Sequence, residues 1–361
     1  MDFTFSPEAA DAAQLAATIL GDHATPERMS ALEHADGRFD ERLWAQLAEA
    51  GLLSLDLPEA DGGAGLGLLE AAHVTVEVGR TVAPVPLATH QAAARLLSEH
   101  APDALRAEWL PRAADGSAVL TVGLAEPMTA LPATPSVRAS GGSEGWALDG
   151  VKTLVRAGTV AQAVLVTATT DEGPAVFLVR TSDATAHPQR TSDGDVAARF
   201  EFADTPASYV GGADAAQRLE HLTVAFSCAE QLGVTRGATR LTADYARTRE
   251  QFGRAIGTFQ AVGQRLADAY IATLGQELTA WQALWRLDEG MSATVEVASA
   301  ALWAADAGHT IAHTTVHVHG GVGIDLDGEA HRYFTAAKRW ELSYGGAGVH
   351  ARAVGAELAR S

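Results

Sequence analysis

The chain has 361 residues, and its 26 basic against 45 acidic side chains give a formal net charge of −19 at pH 7. A field of that sign repels nucleic acid and anionic membrane surfaces. Hydrophobic residues make up 47% and charged residues 20%, which excludes a disordered chain. Cys228 is the single cysteine, which excludes an intrachain disulfide and a thiolate metal cage. At this length we expect two or three hydrophobic cores.

The amino terminus, MDFTFSPEAADAAQL, carries acids where a signal peptide would carry its basic region. No apolar stretch reaches membrane-spanning length without a charge or a polar break. We therefore expect a cytoplasmic protein that does not enter a membrane.

Residues 1–115 have the pattern of an all-helical domain, because apolar residues recur at intervals of three and four in DERLWAQLAEAGLL and LLEAAHVTVEVGR. The segment between these two stretches contains Gly62, Gly63, Gly65 and Gly67. No strand precedes it, and its spacing differs from that of a dinucleotide-binding loop. The glycines therefore predict a tight helix-to-helix connection.

The hydrophobic period changes twice along the rest of the chain. Residues 116–212 contain short segments rich in Val, Leu, Phe and Thr, separated by turn residues, which predict a compact antiparallel β-barrel or sandwich. Residues 213–361 contain four long Ala-rich amphipathic segments, which predict a helical bundle. The expected fold class is α+β, with a helical domain, a β-domain and a bundle in that order.

Two segments of the bundle carry unusual residue patterns. One reads Arg249-Glu-Gln251-Phe252-Gly253 and continues to Phe259-Gln260; the other, which begins at His317, contains His319-Gly320-Gly321-Val-Gly323. The first could be only a helix that ends at Gly253, with a cap and a solvated arginine face, and the second only a helix-to-helix turn. Clustered glycines also let backbone N–H groups approach a ligand.

Taken together, these two segments resemble the C-terminal domain of the acyl-CoA dehydrogenase family. The N-terminal LPEADGGAGLG resembles a loop of that family, and Leu124-Ala-Glu126-Pro127 with Gly150-Val-Lys152 resembles segments of its middle domain. The resemblance spans essentially the whole chain in the expected order. It implies a fold of N-terminal helices, a β-barrel and a C-terminal four-helix bundle.

The resemblance also implies a cofactor and a reaction. Members of the family bind FAD at a subunit interface, and they oxidise acyl-CoA thioesters between the α and β carbons. A glutamate removes the α-proton, and electron-transfer flavoprotein is the expected electron acceptor. By this likeness, one subunit holds the pyrophosphate and adenine end of a FAD whose ring lies in the other subunit. The residues implied for that end are Arg249, Gln251, Phe252, Phe259, Gln260, His317, Gly320 and Gly321.

The catalytic glutamate is missing from both positions where the family places it. Near the C-terminus, Tyr344 or Gly345 stands there, and on the first long bundle helix Thr223 stands there. Nearby carboxylates that could replace the base are Glu220, Glu230 and Glu341, but a shift of three or more residues moves a helical side chain by about a turn. We therefore predict no catalytic residue in this chain.

The side of the site that would hold the flavin ring also departs from the family. The loop from Ala125 to Pro132 lacks the usual glycines and hydroxyls, and the strand that follows reads Leu154-Val-Arg156-Ala. His309, His313 and His317 recur at intervals of four, which suggests a metal site, but no acid lies in the ladder and we predict none.

These features leave three hypotheses. The first is the subunit without a base in a heteromeric acyl-CoA dehydrogenase, an α2β2 complex with a base-carrying partner, acting on a bulky acyl-CoA such as a sterol side-chain thioester. The second is a homo-oligomeric flavoenzyme with a relocated base or different flavin chemistry. The third is a structural homologue without FAD.

Overall fold

The computed structural model describes residues 4–35, 37–142 and 145–360, so the ends of the predicted outer domains, residues 1–3 and 361, lie outside it. Helices end at Ala114, strands run from Leu120 to Gly211, and helices resume at Ala213. In the described ranges no helix is long and apolar enough to cross a membrane. The domain boundaries at 115 and 212 stay predictions.

The first part of the chain is helical, and polar caps set where several of its helices begin. Ser6, Thr25 and Asp40 each accept a backbone N–H from the first turn of the helix that follows. The helices are α1 (Pro7–His23), α2 (Pro26–Glu33), α3 (Glu41–Glu49), α4 (Leu68–Arg80), α5 (Leu87–His100) and α6 (Asp103–Ala114).

The glycine-rich segment links α3 to α4, and one of its glycines is required by a close approach. A Cβ at Gly63 would lie 2.1 Å from the carbonyl oxygen of Leu57, so any larger residue would clash with the backbone. The side chain of Asp288 accepts a hydrogen bond from Leu68 N at the start of α4, at 3.0 Å. The segment therefore fixes the first domain against the bundle.

The middle of the chain forms a small barrel. Its strands are β1 (Leu120–Gly123), β2 (Arg138–Gly142), β3 (Gly145–Val155), β4 (Ala163–Thr170), β5 (Gly173–Arg180), β6 (Thr185–Arg190) and β7 (Val196–Gly211). They pair in the order β1-β4-β2-β3-β7-β5; β5 returns to β4, and β6 adds to β7. Most pairs are antiparallel, whereas β1 and β2 each run parallel to β4. Val137, Leu148, Phe177 and Phe200 fill the interior.

The last part of the chain is a bundle around one long helix. Its helices are α7 (Ala213–Thr248), α8 (Gln260–Asp288), α9 (Thr294–His319), α10 (Ala330–Ser343) and α11 (Gly346–Leu358). Gly79 of α4 and Gly233 of α7 let these two helices touch, since a Cβ on either would lie within 2.0 Å of a backbone oxygen of the other helix. The first domain and the bundle consequently share one hydrophobic core.

A buried ion pair anchors the loop between β1 and β2. Lys152 is fully buried, and its Nζ donates to Glu126 Oε1 at 2.8 Å, Leu124 O at 3.0 Å and Thr167 Oγ1 at 3.1 Å. Burial lowers the pKa of Lys152 to about 8, although Glu126 opposes the shift. The same carboxylate accepts the backbone N–H of Ser136 and so holds the far end of the loop.

We predict that Lys152→Met costs about 3–5 kcal/mol of unfolding free energy, because the variant leaves Glu126 buried without its counter-ion. Chemical denaturation measures the loss. Lys338→Met is the matched control, since Lys338 lies near the surface and its removal is expected to cost less than about 1 kcal/mol. Equal losses in the two variants would contradict the role assigned to Lys152.

A buried histidine joins the helical domain to the barrel. The backbone N–H of Leu120 donates to His90 Nδ1 at 3.1 Å, and His90 Nε2 lies 3.2 Å from Ala113 O. The neutral imidazole, protonated at Nε2, satisfies both contacts. Burial lowers the pKa of His90 to about 4, against an opposing hydrogen bond to Ala113.

We predict that stability falls as the pH drops from about 6.5 towards 4. The unfolded chain takes up the proton of His90 near pH 6.5, whereas the folded chain resists it until about pH 4. Above pH 6.5 this contribution is fully present, and it is on the order of 3 kcal/mol. Unfolding free energy measured between pH 4 and 7 should have a smaller slope in His90→Gln than in the unmodified chain, and an unchanged slope would refute the assignment.

Candidate functional site

A cavity of about 310 Å³ lies between the barrel and the bundle. Thr223 and Tyr344, from the two positions where a base was sought, both line it, together with Ala125, Leu154 and Arg156. The fold therefore brings together the residues that the sequence placed at the reaction centre. Its volume is at the lower end of the range typical of ligand pockets.

Neither residue at the expected base positions can act as a carboxylate base. Thr223 is buried on α7, and its hydroxyl donates to Leu219 O at 2.6 Å. Tyr344 lies 3.2 Å from the hydroxyl of Ser227, and burial raises the pKa of its phenol, so it stays neutral at pH 7. Gly345 begins α11 with φ of 98°, a conformation that glycine adopts without strain.

The three glutamates considered as substitutes do not line this cavity in the described part of the chain. Glu341 is paired with Lys338 at 2.7 Å and with His309 at 2.9 Å. Burial would raise the pKa of Glu341, but these two partners hold it below its usual range. Burial raises the pKa of Glu220 on α7. Asp195 is the carboxylate lining the cavity among the described residues, and it is bound to Arg156.

Glu230 and Arg156 form a bidentate ion pair beside the cavity. The two terminal nitrogens of Arg156 reach the carboxylate oxygens of Glu230 at 2.5 and 2.8 Å, and its Nε donates to Asp195 at 2.8 Å. Burial alone would lower the pKa of Arg156, but Glu230 and Asp195 raise it above its ordinary value. Arg339 adds a second cation 3.4 Å from Glu230.

This ion pair was not predicted from the sequence, which identified Arg156 only as a lost flavin contact and Glu230 only as a candidate base. The available signal was an arginine just after a strand and a glutamate within a helix, and it does not show that the two side chains meet. The two opposite charges of this pair neutralise each other. Arg156 is therefore not free to donate to a flavin, and Glu230 is not free to remove a proton.

The loop that would border the flavin contributes methyl groups rather than hydrogen-bond donors. Ala125 and Ala130 line the cavity, while Met128 points fully into solvent with φ of 69°. Glu126 is turned away towards Lys152. This loop therefore supplies no side-chain hydrogen-bond donor to the cavity on the ring side of a flavin site.

The Arg249 segment forms a small projecting hairpin rather than a continuation of α7. The helix ends at Thr248, and β8 (Glu250–Gln251) pairs with β9 (Arg254–Ala255). Phe252 and Gly253 form the turn with φ of 54° and 77°, as in the turns that favour tight hairpins. The sequence predicted that the helix ends at Gly253, because the helical charge pattern continues through Arg249. The hairpin turn depends on backbone angles, which that pattern does not show.

The side chains of this hairpin are open to solvent. Arg249 and Gln251 are exposed, and the ring of Phe252 is 92% exposed. The guanidinium of Arg254 lies 4.1 Å above the ring of Phe259, which keeps the base of the hairpin in place. An exposed aromatic side chain in a left-handed conformation favours a role in binding, since folding alone does not reward it.

The glycine segment lies at the same end of the bundle as the hairpin. Tyr245, one turn before Arg249, stacks on His319 with ring centroids 4.2 Å apart, which joins the ends of α7 and α9. Gly320 has φ of 66°, and a Cβ built on it or on Gly321 meets nothing within 4 Å. The backbone here is open, as contact with a phosphate group requires.

The histidine ladder on α9 does not converge on a metal. His309 contacts Glu341 and Lys338, whereas His317 is exposed near the end of the helix. No group of three or more His, Cys, Asp or Glu side chains in the described residues is placed to hold a metal ion.

The residues therefore fit FAD at one end only. The hairpin and the glycine segment offer an exposed guanidinium and open backbone, which suit a pyrophosphate. At the cavity, Arg156 is occupied by carboxylates, and the surrounding loop has lost its donors. When bound, FAD would accept the hydride.

Family models match both helical parts of the chain. The acyl-CoA dehydrogenase N-terminal domain matches residues 6–117, and the acyl-CoA dehydrogenase C-terminal domain matches residues 211–359. Acyl-CoA dehydrogenase FadE27 of Mycobacterium tuberculosis is 44% identical, and the match covers 100% of both chains. Acyl-CoA dehydrogenase FadE28 of the same organism is 34% identical over 84% of this chain and 88% of its own.

Solved structures agree with these matches. A chain of the ChsE4-ChsE5 complex from Mycobacterium tuberculosis is 43% identical, covers 100% of both chains and has a TM-score of 0.96. A chain of the Tcur3481-Tcur3483 steroid ACAD, a G363A variant, is 38% identical, covers 98% of this chain and 99% of its own, and has a TM-score of 0.93. The sequence, the fold and the cavity between barrel and bundle thus agree, and the chain belongs to the acyl-CoA dehydrogenase family.

Proposed function

We propose that this chain is the subunit without a catalytic base in a heteromeric, FAD-dependent acyl-CoA dehydrogenase. The observation that carries the proposal is a contrast between two parts of the molecule. Among the described residues that line the cavity there is no unpaired carboxylate, whereas the hairpin around Arg249 is exposed and open to contact with another chain. The partner supplies the glutamate and the ring side of the flavin site. We expect the complex to work in the cytoplasm.

Removal of an α-proton from a thioester needs a desolvated base and donors that stabilise the enolate-like oxygen. Both are expected from the partner. This chain contributes Arg249, whose forked guanidinium matches the pyrophosphate oxygens of FAD. Gln251 and Phe252 on the hairpin, Phe259 and Gln260 at the start of α8, and His317 with Gly320 and Gly321 complete the contribution.

A partner surface is available on α8. Tyr270, Ile271, Leu274 and Leu278 form an exposed apolar stripe on one face of this helix, with Leu278 69% exposed. A stripe of this kind favours association. Trp303 on the neighbouring helix α9 is also partly exposed, at 37%. The stripe begins at Tyr270, about 15 Å along α8 from Gln260, which lies next to the hairpin, and we propose that one partner covers both.

The substrate is proposed to be a bulky acyl-CoA, such as a sterol side-chain thioester, with electron-transfer flavoprotein as the electron acceptor. Similarity to a chain of a steroid ACAD supports this substrate class. The likeness to a chain of the ChsE4-ChsE5 complex supports a second, different subunit.

The decisive experiment measures mass by light scattering and flavin absorbance per chain. The protein is purified alone and co-expressed with a base-carrying dehydrogenase subunit encoded beside it. We expect an α2β2 complex with FAD at half the number of subunits, and little flavin on the chain alone. A homo-oligomer with one FAD per chain that oxidises acyl-CoA unaided would favour the second hypothesis. A chain that neither binds flavin nor assembles would favour the third.

We predict that Arg249→Ala lowers the FAD affinity of the assembled complex by about tenfold or more, because it removes a charge-assisted phosphate contact. Arg247→Ala is the control: Arg247 is exposed two residues away and lies near Asp244. Flavin titration of the apo complex measures both. Equal affinity in the two variants would remove Arg249 from the site.

We also predict that Glu220→Gln and Glu341→Gln leave turnover of the complex within a few-fold. Loss of a general base would cost roughly a hundredfold or more. Reduction of the bound flavin by acyl-CoA is the measurement. A collapse in either variant, with normal flavin content, would place the base in this chain. Glu230→Gln is unsuitable as a test, since it also breaks the ion pair with Arg156.

A further inference from the structure

The ion pair beside the cavity is part of a larger cluster that we term the ion network: Arg38, Arg156, Asp193, Asp195, Glu230 and Arg339. Its members come from every part of the fold. Arg38 follows α2, Arg156 lies just after β3, and Asp193 and Asp195 lie between β6 and β7. Glu230 lies in the middle of α7 and Arg339 on α10. One point in the molecule therefore joins the helical domain, the barrel and the bundle.

Arginines and carboxylates are interspersed in the ion network, and their formal charges sum to zero. Arg339 pairs with Asp193 and lies 3.5 Å from Asp195 and 3.4 Å from Glu230. Arg38 donates to the carbonyl oxygens of Asp193 and Val82, at 2.8 and 3.1 Å. Arg156 and Arg339 contact the three carboxylates directly, whereas Arg38 contacts only backbone oxygens, and the six side chains are almost entirely removed from solvent. Buried charges at this density persist only when they are paired.

An aromatic ring extends the network towards the cavity. Trp340 lies within 5.4 Å of the guanidinium carbon of Arg156 and within 4.5 Å of that of Arg339. Both Arg156 and Trp340 also line the cavity between barrel and bundle. The planar guanidinium of Arg156 thus occupies the strand end where relatives, by the family resemblance, bind the flavin edge.

We propose that in this chain the ion network takes the place of the flavin ring, joining the three domains and making the fold independent of FAD. This inference rests on the proposed function for the location of the ring site. A bound cofactor stabilises the native state because it binds the folded chain and not the unfolded one. Ion pairs within the chain provide a comparable link without a ligand.

The test compares two variants of the co-expressed complex. Arg156→Met leaves Glu230 and Asp195 without their main partner, so its Tm is expected to fall by at least about 5 °C. Its flavin content per folded complex is expected to be unchanged, since the ring lies in the partner. Arg249→Ala is expected to do the reverse, lowering flavin affinity with little effect on the Tm at saturating FAD. Arg190→Met, an exposed arginine that also lines the cavity, controls for loss of charge.

A double variant separates the network from general damage. Arg156→Met with Glu230→Met replaces a buried ion pair by apolar side chains, so its Tm is expected to recover towards that of the unmodified complex. If Arg156→Met does not fold, Arg156→Lys keeps the charge but loses the bidentate contact, and an intermediate Tm is expected. The purified chain alone should show no rise in Tm when excess FAD is added.

Three results would overturn the inference: loss of flavin from the Arg156→Met complex, an unchanged Tm in that variant, or a rise in the Tm of the chain alone with FAD. The first and third would make Arg156 or its surroundings a flavin site. Failure of the proposed function looks different, because a chain without a partner would still lose stability in Arg156→Met and regain it in the double variant.

Discussion

A charge taken out of water needs an opposite charge close by, and in this protein six charged side chains meet that requirement together in the ion network, apart from the buried Lys152–Glu126 pair in the barrel. Glu230 lies on α7 where α4 comes closest, since a Cβ at Gly79 would be 1.9 Å from the Glu230 carbonyl oxygen. The helix contact therefore sets the depth of Glu230, and that depth makes the pairing with Arg156 and Arg339 obligatory. This pairing links the barrel to the bundle, since Arg156 follows β3 and Asp193 precedes β7, whereas Glu230 and Arg339 lie on α7 and α10.

The centre of the molecule and the hairpin differ in how their polar and aromatic groups are satisfied. At the centre, carboxylates and guanidinium groups satisfy one another and the cavity walls are largely apolar. At the hairpin, Phe252 adopts a left-handed conformation, which costs free energy, and its ring is exposed apart from an edge-on contact with the ring of Phe259, 6.1 Å away. Under the proposed function, the partner would cover this ring together with the apolar stripe on α8.

Periodicity was enough to predict the order of helices, barrel and bundle, because the hydrophobic pattern changes where the architecture changes. Through the family resemblance, the sequence also predicted that Thr223, Tyr344 and Arg156 lie at one site. The structure places all three at one cavity. It could not predict the ion network, whose members come from distant parts of the chain and meet only after folding. The sequence did not predict the hairpin, for a local reason. The helical charge pattern continues through Arg249, and the hairpin depends on the backbone angles of Phe252 and Gly253, which that pattern does not show.

Symmetry explains why such a chain would need an unlike partner. In a two-fold dimer of identical chains both sites are equivalent, so each would combine an open hairpin with a closed cavity. Neither site would then contain a base or a ring-binding wall. Under the proposed function, pairing with a chain that keeps both would complete one site per pair, and the ion network would occupy the second site. Stability and catalysis can then be divided between subunits, because residues that no longer contact a flavin are free to hold the domains together.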